Sequence, residues 1–506
     1  MTNATHILGN WFRVLGLQGV AFLFAATTIA LAASVVPPAV FGEYTLLLST
    51  MQITAGVGFS WLNQSIFRFA REEFNTSGSV WSTLGTALSM QAALLVAVAP
   101  LAWLAAKLYG ERFGLSLGML PWLLAGLTMA IIVEAFSFAC QAANRFSGYG
   151  AGQVLTKFGP LAVVLVFTVG FPASTQMLLL GTIGGWLLSA TYQLLRLPPR
   201  RRASLFDQAT LRRLVAYGWK LPLATASGII VSWLGIWAIR YFLDVHAAGI
   251  YAWAFSLYSL AVGLLMAFSA VIAPRMTDLR LYGSTENIER MLRFAVSASA
   301  LLATLMPLAL VLVTLAGTTI WPIAYADAEL PLLLLLSSFP GQLLTYIISP
   351  LLMAYQQAVG RVVTINMAAA AANVAANLLL VPAFGLAGAA LAASLTIWLM
   401  ALPLILLIWQ IGCGHANAAE LAKVAATGLG SIVCALAVVL APPALAPVIG
   451  LVLLGTGLFL GRQLHWFHHL RWLAPHLGSL PLPLRRPAVA LLGWFATSVP
   501  SGAAHP

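Results

Sequence analysis

Apolar runs of about 18 to 28 residues follow one another along this chain, separated by short links rich in Gly, Pro and Arg. That length suits helices crossing a hydrocarbon core of about 30 Å, and no alternating polar and apolar pattern of a membrane barrel is present. The pattern predicts about fourteen spanning helices, at roughly 10–35, 41–65, 80–106, 115–139, 149–170, 175–195, 214–240, 247–273, 293–317, 328–355, 362–382, 386–410, 422–441 and 446–461. The first run is long, is led by Arg13 and lacks a small-residue cleavage site, so it reads as a retained helix rather than a removable signal.

Composition closes off the soluble alternatives. Of 506 residues, 61% are hydrophobic and 8% charged, too few polar groups to cover a water-exposed domain of this size. Charge then orients the spans. With a cytoplasmic amino terminus, 22 of the 25 Lys and Arg residues fall on the cytoplasmic side, and only Lys107, Arg112 and Arg240 fall on the other. The positive-inside rule therefore predicts that both termini are cytoplasmic. The longest basic link, Arg196 to Arg213, contains Pro198, Pro199 and the run Arg200–Arg202, and divides the chain. The expected organisation is a lobe at 1–198, a basic cytoplasmic linker at 199–213, a second lobe at 214–411, two extra helices at 412–462 and an interfacial or disordered tail at 463–506.

The two lobes echo each other. Gly42, Tyr44, Ser49, Gly56 and Arg68 recur at a constant offset of 207 as Gly249, Tyr251, Ser256, Gly263 and Arg275, and Arg13 falls on Lys220. A weaker echo at an offset of 216 places Gln141, Ala142 and Arg145 on Gln357, Ala358 and Arg361. Both halves start from the same side, so the repeat is parallel, about an axis along the membrane normal.

Ionisable side chains within apolar spans are costly and mark functional candidates. Arg13, Lys157 and Lys220 sit within about two turns of the cytoplasmic ends of their spans, and Arg240 near the outer end of its own. The bland reading is that all four reach back to the headgroups; the sharper one, favoured for Arg13 and Lys220 by the repeat, places them in a cavity between lobes. Asp244, one turn beyond Arg240, is a candidate partner for it. Arg68 and Arg275 are expected at the cytoplasmic rim, as an inner gate or as lipid anchors. Of the thirteen acids, Glu134 alone lies well inside a span, a candidate for ion coupling, for orienting a cavity arginine, or for pairing with a nearby cation. The apolar stretches of the first, seventh and eighth spans hold no acid, so the expected cargo is an anion such as phosphate. Sugar selectivity would rest on scattered polar residues such as Asn63, Gln64 and Ser232.

Enzymatic readings find little support: the outer loops are short, no cytoplasmic Asp-x-Asp pair offers a metal site, and no phosphate-cradling glycine loop ends in Lys-Ser or Lys-Thr. No catalytic residue, metal, cofactor or nucleic-acid partner is expected. Cys140, Cys413 and Cys434 read as small hydrophobes. His465, His468 and His469 lack an accompanying carboxylate or Cys, so the aromatic and basic run around them reads as an interfacial helix rather than a metal site.

At Phe41-Gly42-Glu43-Tyr44, at Ala248-Gly249-Ile250-Tyr251, and in Pro274-Arg275-Met276 with the charged Glu286–Arg290 link, the chain resembles the polysaccharide-transporter flippases of the multidrug/oligosaccharidyl-lipid/polysaccharide exporter superfamily. Ala376-Asn377-Leu378 to Pro382, followed by Phe384-Gly385-Leu386-Ala387-Gly388, is similar to that family's link between helices 11 and 12. The resemblance implies an all-α integral membrane protein of the bacterial inner membrane, its two six-helix lobes forming a V. It implies export of a polyprenyl-pyrophosphate-linked oligosaccharide for cell-surface polysaccharide, with basic cavity residues at Arg13 and Lys220. A polysaccharide polymerase or glycosyltransferases are the partners it points to. The rival readings are a cation-coupled drug exporter of the same superfamily and a non-transporting scaffold for glycosyltransferases.

Overall fold

The computed structural model describes residues 2–113, 117–199, 206–218, 221–282, 285–319, 322–353, 355–411, 418–442, 445–464 and 466–467. Among them the regular structure is helical throughout. The helices are α1 (Thr2–Val35), α2 (Pro38–Gly58), α3 (Ser60–Ser77), α4 (Trp81–Phe113), α5 (Leu120–Ala142), α6 (Phe146–Thr168), α7 (Thr175–Arg196) and α8 (Gln208–Gly218). After them come α9 (Leu221–Phe242), α10 (Val245–Tyr282), α11 (Thr285–Thr319), α12 (Glu329–Leu336), α13 (Phe339–Met353), α14 (Gln356–Gln410), α15 (Ala418–Leu440) and α16 (Ala446–Gln463).

Among the described residues, nine helices are long and apolar enough to cross a membrane, or ten if the bent pair Ile323–Leu336 and Phe339–Ser349 is one span. Ala226–Phe242 and Ala422–Val438 are shorter apolar helices. This tally differs from fourteen for local reasons. The stretches expected at 362–382 and 386–410 are fused in α14 across Gly385, whose φ of 57° a glycine adopts without strain. The span expected at 41–65 is divided at Phe59 into α2 and α3. The tail beyond 467, with His468 and His469, lies outside the described residues, as do His465 and Cys413.

By contact the chain forms two compact units: Met1–Leu260 with Pro322–Ala328 and Asn373–Ala389, and Ala261–Trp321 with Glu329–Ala372 and Ala390–Pro506. The division falls inside α10. Its cause is the packing of α9 and the start of α10 onto α2 and α1.

In the first unit, backbones approach closely where glycines stand. A Cβ added to Gly159 would strike the Gly181 carbonyl oxygen, so α6 and α7 meet without intervening side chains. Met51, Leu62, Ile66, Leu84 and Ala139 form the core that joins α2, α3, α4 and α5. The repeat is visible here as a reciprocal contact. A Cβ on Gly42 would strike the Val245 carbonyl oxygen, and one on Gly249 the Pro38 carbonyl oxygen. Pro38 and Val245 are themselves separated by the offset of 207, so the same atoms meet from both sides, as a local two-fold requires. Trp253 Nε1 donates to Ile29 O (3.1 Å) between α10 and α1, and Trp237 Nε1 donates to Ser49 Oγ (3.0 Å) between their counterparts, α9 and α2.

The second unit packs α11, α13, the later part of α14 and α15 around Leu344, Ile348, Ala401 and Ile408. Its bent span breaks at Ser337–Ser338, and the carbonyls freed there are bonded from neighbouring helices. Ser431 Oγ donates to Ser337 O (2.8 Å), Ser394 Oγ to Leu334 O (2.6 Å) and Trp398 Nε1 to Ser337 O (3.4 Å).

Candidate functional site

Lys157 is an exposed cation on a described apolar helix. It stands eleven residues into the 23-residue helix α6, roughly 16 Å from Phe146, so it is near mid-span rather than within about two turns of the end. The correction follows from where α6 starts: it begins at Phe146, earlier than the span expected at 149–170. Lys157 is exposed, and it forms no ion pair or hydrogen bond with any described residue. Phe158 beside it packs on Phe24 of α1, with ring centroids 6.3 Å apart. A lysine at that depth facing hydrocarbon costs about 2.5–3.5 kcal/mol, whereas one facing a wet path does not.

Arg240 lies in the last turn of α9, where a cation complements the helix dipole. Its Nε is buried without a hydrogen-bond partner. The expected partner is engaged elsewhere: Asp244 Oδ1 accepts from Ala247 N (2.7 Å) and caps α10, and no ion pair joins it to Arg240. A helix start one turn away offered that carboxylate backbone donors already in place.

Arg68 sits at a joint. Its Nε lies 3.7 Å from Glu72 Oε1, and its guanidinium is 4.6 Å from the centre of the Tyr217 ring on α8. Arg213 of α8 bonds the other Glu72 oxygen at 2.5 Å. Together with Gly218, which presses against Trp61 and Ser65, these contacts seat α8 on α3. Asp207 caps α8: the Thr210 hydroxyl (2.5 Å) and backbone N–H (2.9 Å) hold its carboxyl below the usual range. A cleft of about 290 Å³ between α3, α4 and α8 is lined by Glu72, Glu73, Thr210 and Arg213. Its acids are already bonded: Glu73 caps α4 through Ser82 N (3.1 Å) and Thr83 N (2.8 Å).

Glu134 of α5 joins a buried chain of amides. Asn63 Nδ2 donates to Glu134 Oε2 (2.8 Å), and Gln91 Nε2 donates to Asn63 Oδ1 (2.7 Å). No described cation pairs with Glu134. Asn63 is wholly buried, and Ser232 Oγ bonds back to Gly228 O (2.9 Å) within α9. Sequence reasoning passed over Gln91; the signal was a lone amide within the apolar run of α4. Among the described residues no group of three or more His, Cys, Asp and Glu is placed to hold a metal. Lys220 lies outside the described residues. Arg13 and Arg275 lie on α1 and α10, but their side chains are outside the described residues.

A family model described as "Polysaccharide biosynthesis protein" matches residues 7–280, more than half of the chain. The chain belongs to the polysaccharide biosynthesis protein family. Among solved structures, this family member is similar to the lipid II flippase MurJ in an inward closed conformation, with a TM-score of 0.64 at 12% identity over 89% of this chain and 99% of that one. It is also similar to an inward-facing multidrug resistance transporter of the MATE family of the MOP superfamily, with a TM-score of 0.54 at 13% identity over 80% of this chain and all of that one. The third is a MOP superfamily transporter from Pyrococcus furiosus, with a TM-score of 0.53 at 12% identity over 83% and 96%. No curated protein matches the sequence. At these identities the likeness shows the fold, an all-helical membrane transporter architecture. The solved neighbours are transporters and flippases rather than enzymes.

Proposed function

We propose that this protein exports an anionic polyprenyl-pyrophosphate-linked oligosaccharide from the cytoplasmic to the outer leaflet of a bacterial inner membrane, by alternating access and for cell-surface polysaccharide synthesis. The observation that carries the reading is Lys157, an exposed, unpaired cation at the middle of a membrane-crossing helix in a member of a polysaccharide biosynthesis family. A wet basic path suits a pyrophosphate while the polyprenyl tail stays in hydrocarbon. Arg13 and Lys220 at repeat-related positions, with Arg240, are proposed to extend that path, and Arg68 and Arg275 to form its cytoplasmic rim. An interior-negative potential favours outward movement of the head group by about 2.3 kcal/mol per charge per 100 mV, a bias available without ATP. A drug exporter of the same fold would take cations, which a path lined with Lys and Arg repels.

The test is reconstitution into liposomes with a lipid-linked oligosaccharide, measuring sugar exposed on the opposite leaflet. Acceleration over protein-free vesicles is expected. Lys157→Ala is expected to slow it at least tenfold, and Arg13→Ala with Lys220→Ala to abolish it with insertion intact. Wild-type vesicles no faster than empty ones would reject the reading.

A further inference from the structure

The first unit contains a polar chain whose hydrogen bonds all run one way. Glu134 of α5, Asn63 of α3 and Gln91 of α4 form it, and Asn63 and Gln91 are 0% and 1% exposed, so water cannot replace a missing partner. Each amide N–H points toward the carboxylate, the sense an ionised, acceptor-only group imposes. At the far end Gln91 Oε1 is buried with no hydrogen-bond partner.

Protonation reverses this sense. A proton taken from water onto Glu134 makes the acid O–H a donor to Asn63 Oδ1, which requires the Asn63 amide to turn over. Gln91, whose Nε2 faces Asn63 in the starting pattern, turns over as well, so that Asn63 Nδ2 donates to Gln91 Oε1. No bond other than the new O–H is made covalently, and the proton leaves by the reverse step. Two opposite hydrogen-bond patterns on the same three residues make a two-state element.

The bound species is a proton rather than a metal cation. A hard cation requires several converging oxygens, whereas Glu134 has an N–H donor aimed at it. Among the described residues, the charged and titratable groups on the helices packed against α5 form no ion pair with Glu134, and most are engaged elsewhere. On α2, Glu43 accepts from Thr175 (2.6 Å) and Tyr44 bonds Thr182 (2.8 Å). On α3, Arg71 donates to Ala142 O (2.9 Å), while Arg68, Glu72 and Glu73 form the joint with α8 and α4. On α4, Lys107 lies over Trp103; on α7, Arg196 lies over Tyr192; on α6, Tyr149 and Lys157 make no ion pair with Glu134.

The chain also touches a mechanical weak point. Asn63 lies one turn beyond Phe59, where α2 gives way to α3, and Trp61 Nε1 donates across that break to Gly58 O (2.8 Å). We propose that Glu134 is a proton-binding site whose occupancy sets the direction of the Asn63–Gln91 amide chain and, through it, the geometry of the α2–α3 break. Its use to drive export rests on the function proposed above; proton binding itself does not.

The test is infrared difference spectroscopy of the purified full chain between acidic and alkaline buffer. Wild type is expected to show a protonated-carboxyl C=O band rising with acid, with accompanying changes in the side-chain amide bands. Glu134→Gln should lose the carboxyl band, Glu134→Asp should restore one at a shifted position, and Gln91→Leu should keep it with a displaced midpoint pH. A wild-type spectrum that Glu134→Gln reproduces overturns the site, and an unmoved midpoint in Gln91→Leu overturns the amide chain. Leaflet exposure of a lipid-linked sugar does not enter these spectra, so failure of the transport reading is seen separately.

Discussion

At Ser337–Ser338 in the second unit and at Phe59 in the first, apolar helices break and free backbone groups that a membrane cannot solvate. The second break is sealed by uncharged donors. Ser431, Ser394 and Trp398 bond its carbonyls, and the Trp398 ring lies between Gly341 and Gly428, each placing an added Cβ within about 3.1 Å of it. The first break is closed from its own helix, by Trp61 onto Gly58 O and by Ser60 onto Gly56 O, and is flanked by an ionisable group through Asn63. A break fixed by neighbouring helices is a permanent bend. One fixed locally, beside a carboxyl, can respond to protons.

That contrast is open to attack, most severely through Trp398. Trp398→Ala removes ring and donor together and is expected to cost about 3–5 kcal/mol, read as a lowered denaturation midpoint of the purified protein and by a similar amount at every pH. Asn63→Leu should cost less, about 1–3 kcal/mol for the groups left unpaired, and should flatten the pH dependence of stability. Equal, pH-independent losses in the two variants would erase the distinction between the breaks. The smallest effect is expected from Asp207→Asn. Thr210 holds the Asp207 carboxyl low in the folded protein, so its contribution is complete above the usual carboxylate range and fades as pH falls through the lowered value. This variant should remove only that acid limb, measured as the melting point against pH, leaving any response due to Glu134.

Much of the architecture was legible because membranes impose simple rules. Span length, the scarcity of charge and the 207-residue echo are properties of order along the chain. The site was legible only as a set of candidates. Lys157 was recognised as a cation in a span, but its depth depended on α6 beginning at Phe146, a boundary that hydropathy blurs. Asp244 looked like a partner for Arg240 by spacing, yet a nearby helix start claimed its carboxylate. Asn63 stood among the candidate selectors of sugars with its facing open, because nothing in one sequence tells which face of a helix is covered.

By itself, then, the sequence determined the solvent this protein folds in and the duplication of its helices, since these follow from composition and periodicity. Tertiary structure decided which residues meet. Only packing sets Gly42 and Gly249 against each other's helices, because close approach depends on two backbones at once. Only packing brings Gln91, Asn63 and Glu134 into one chain, because hydrogen bonds act over about 3 Å and these residues come from three separate helices.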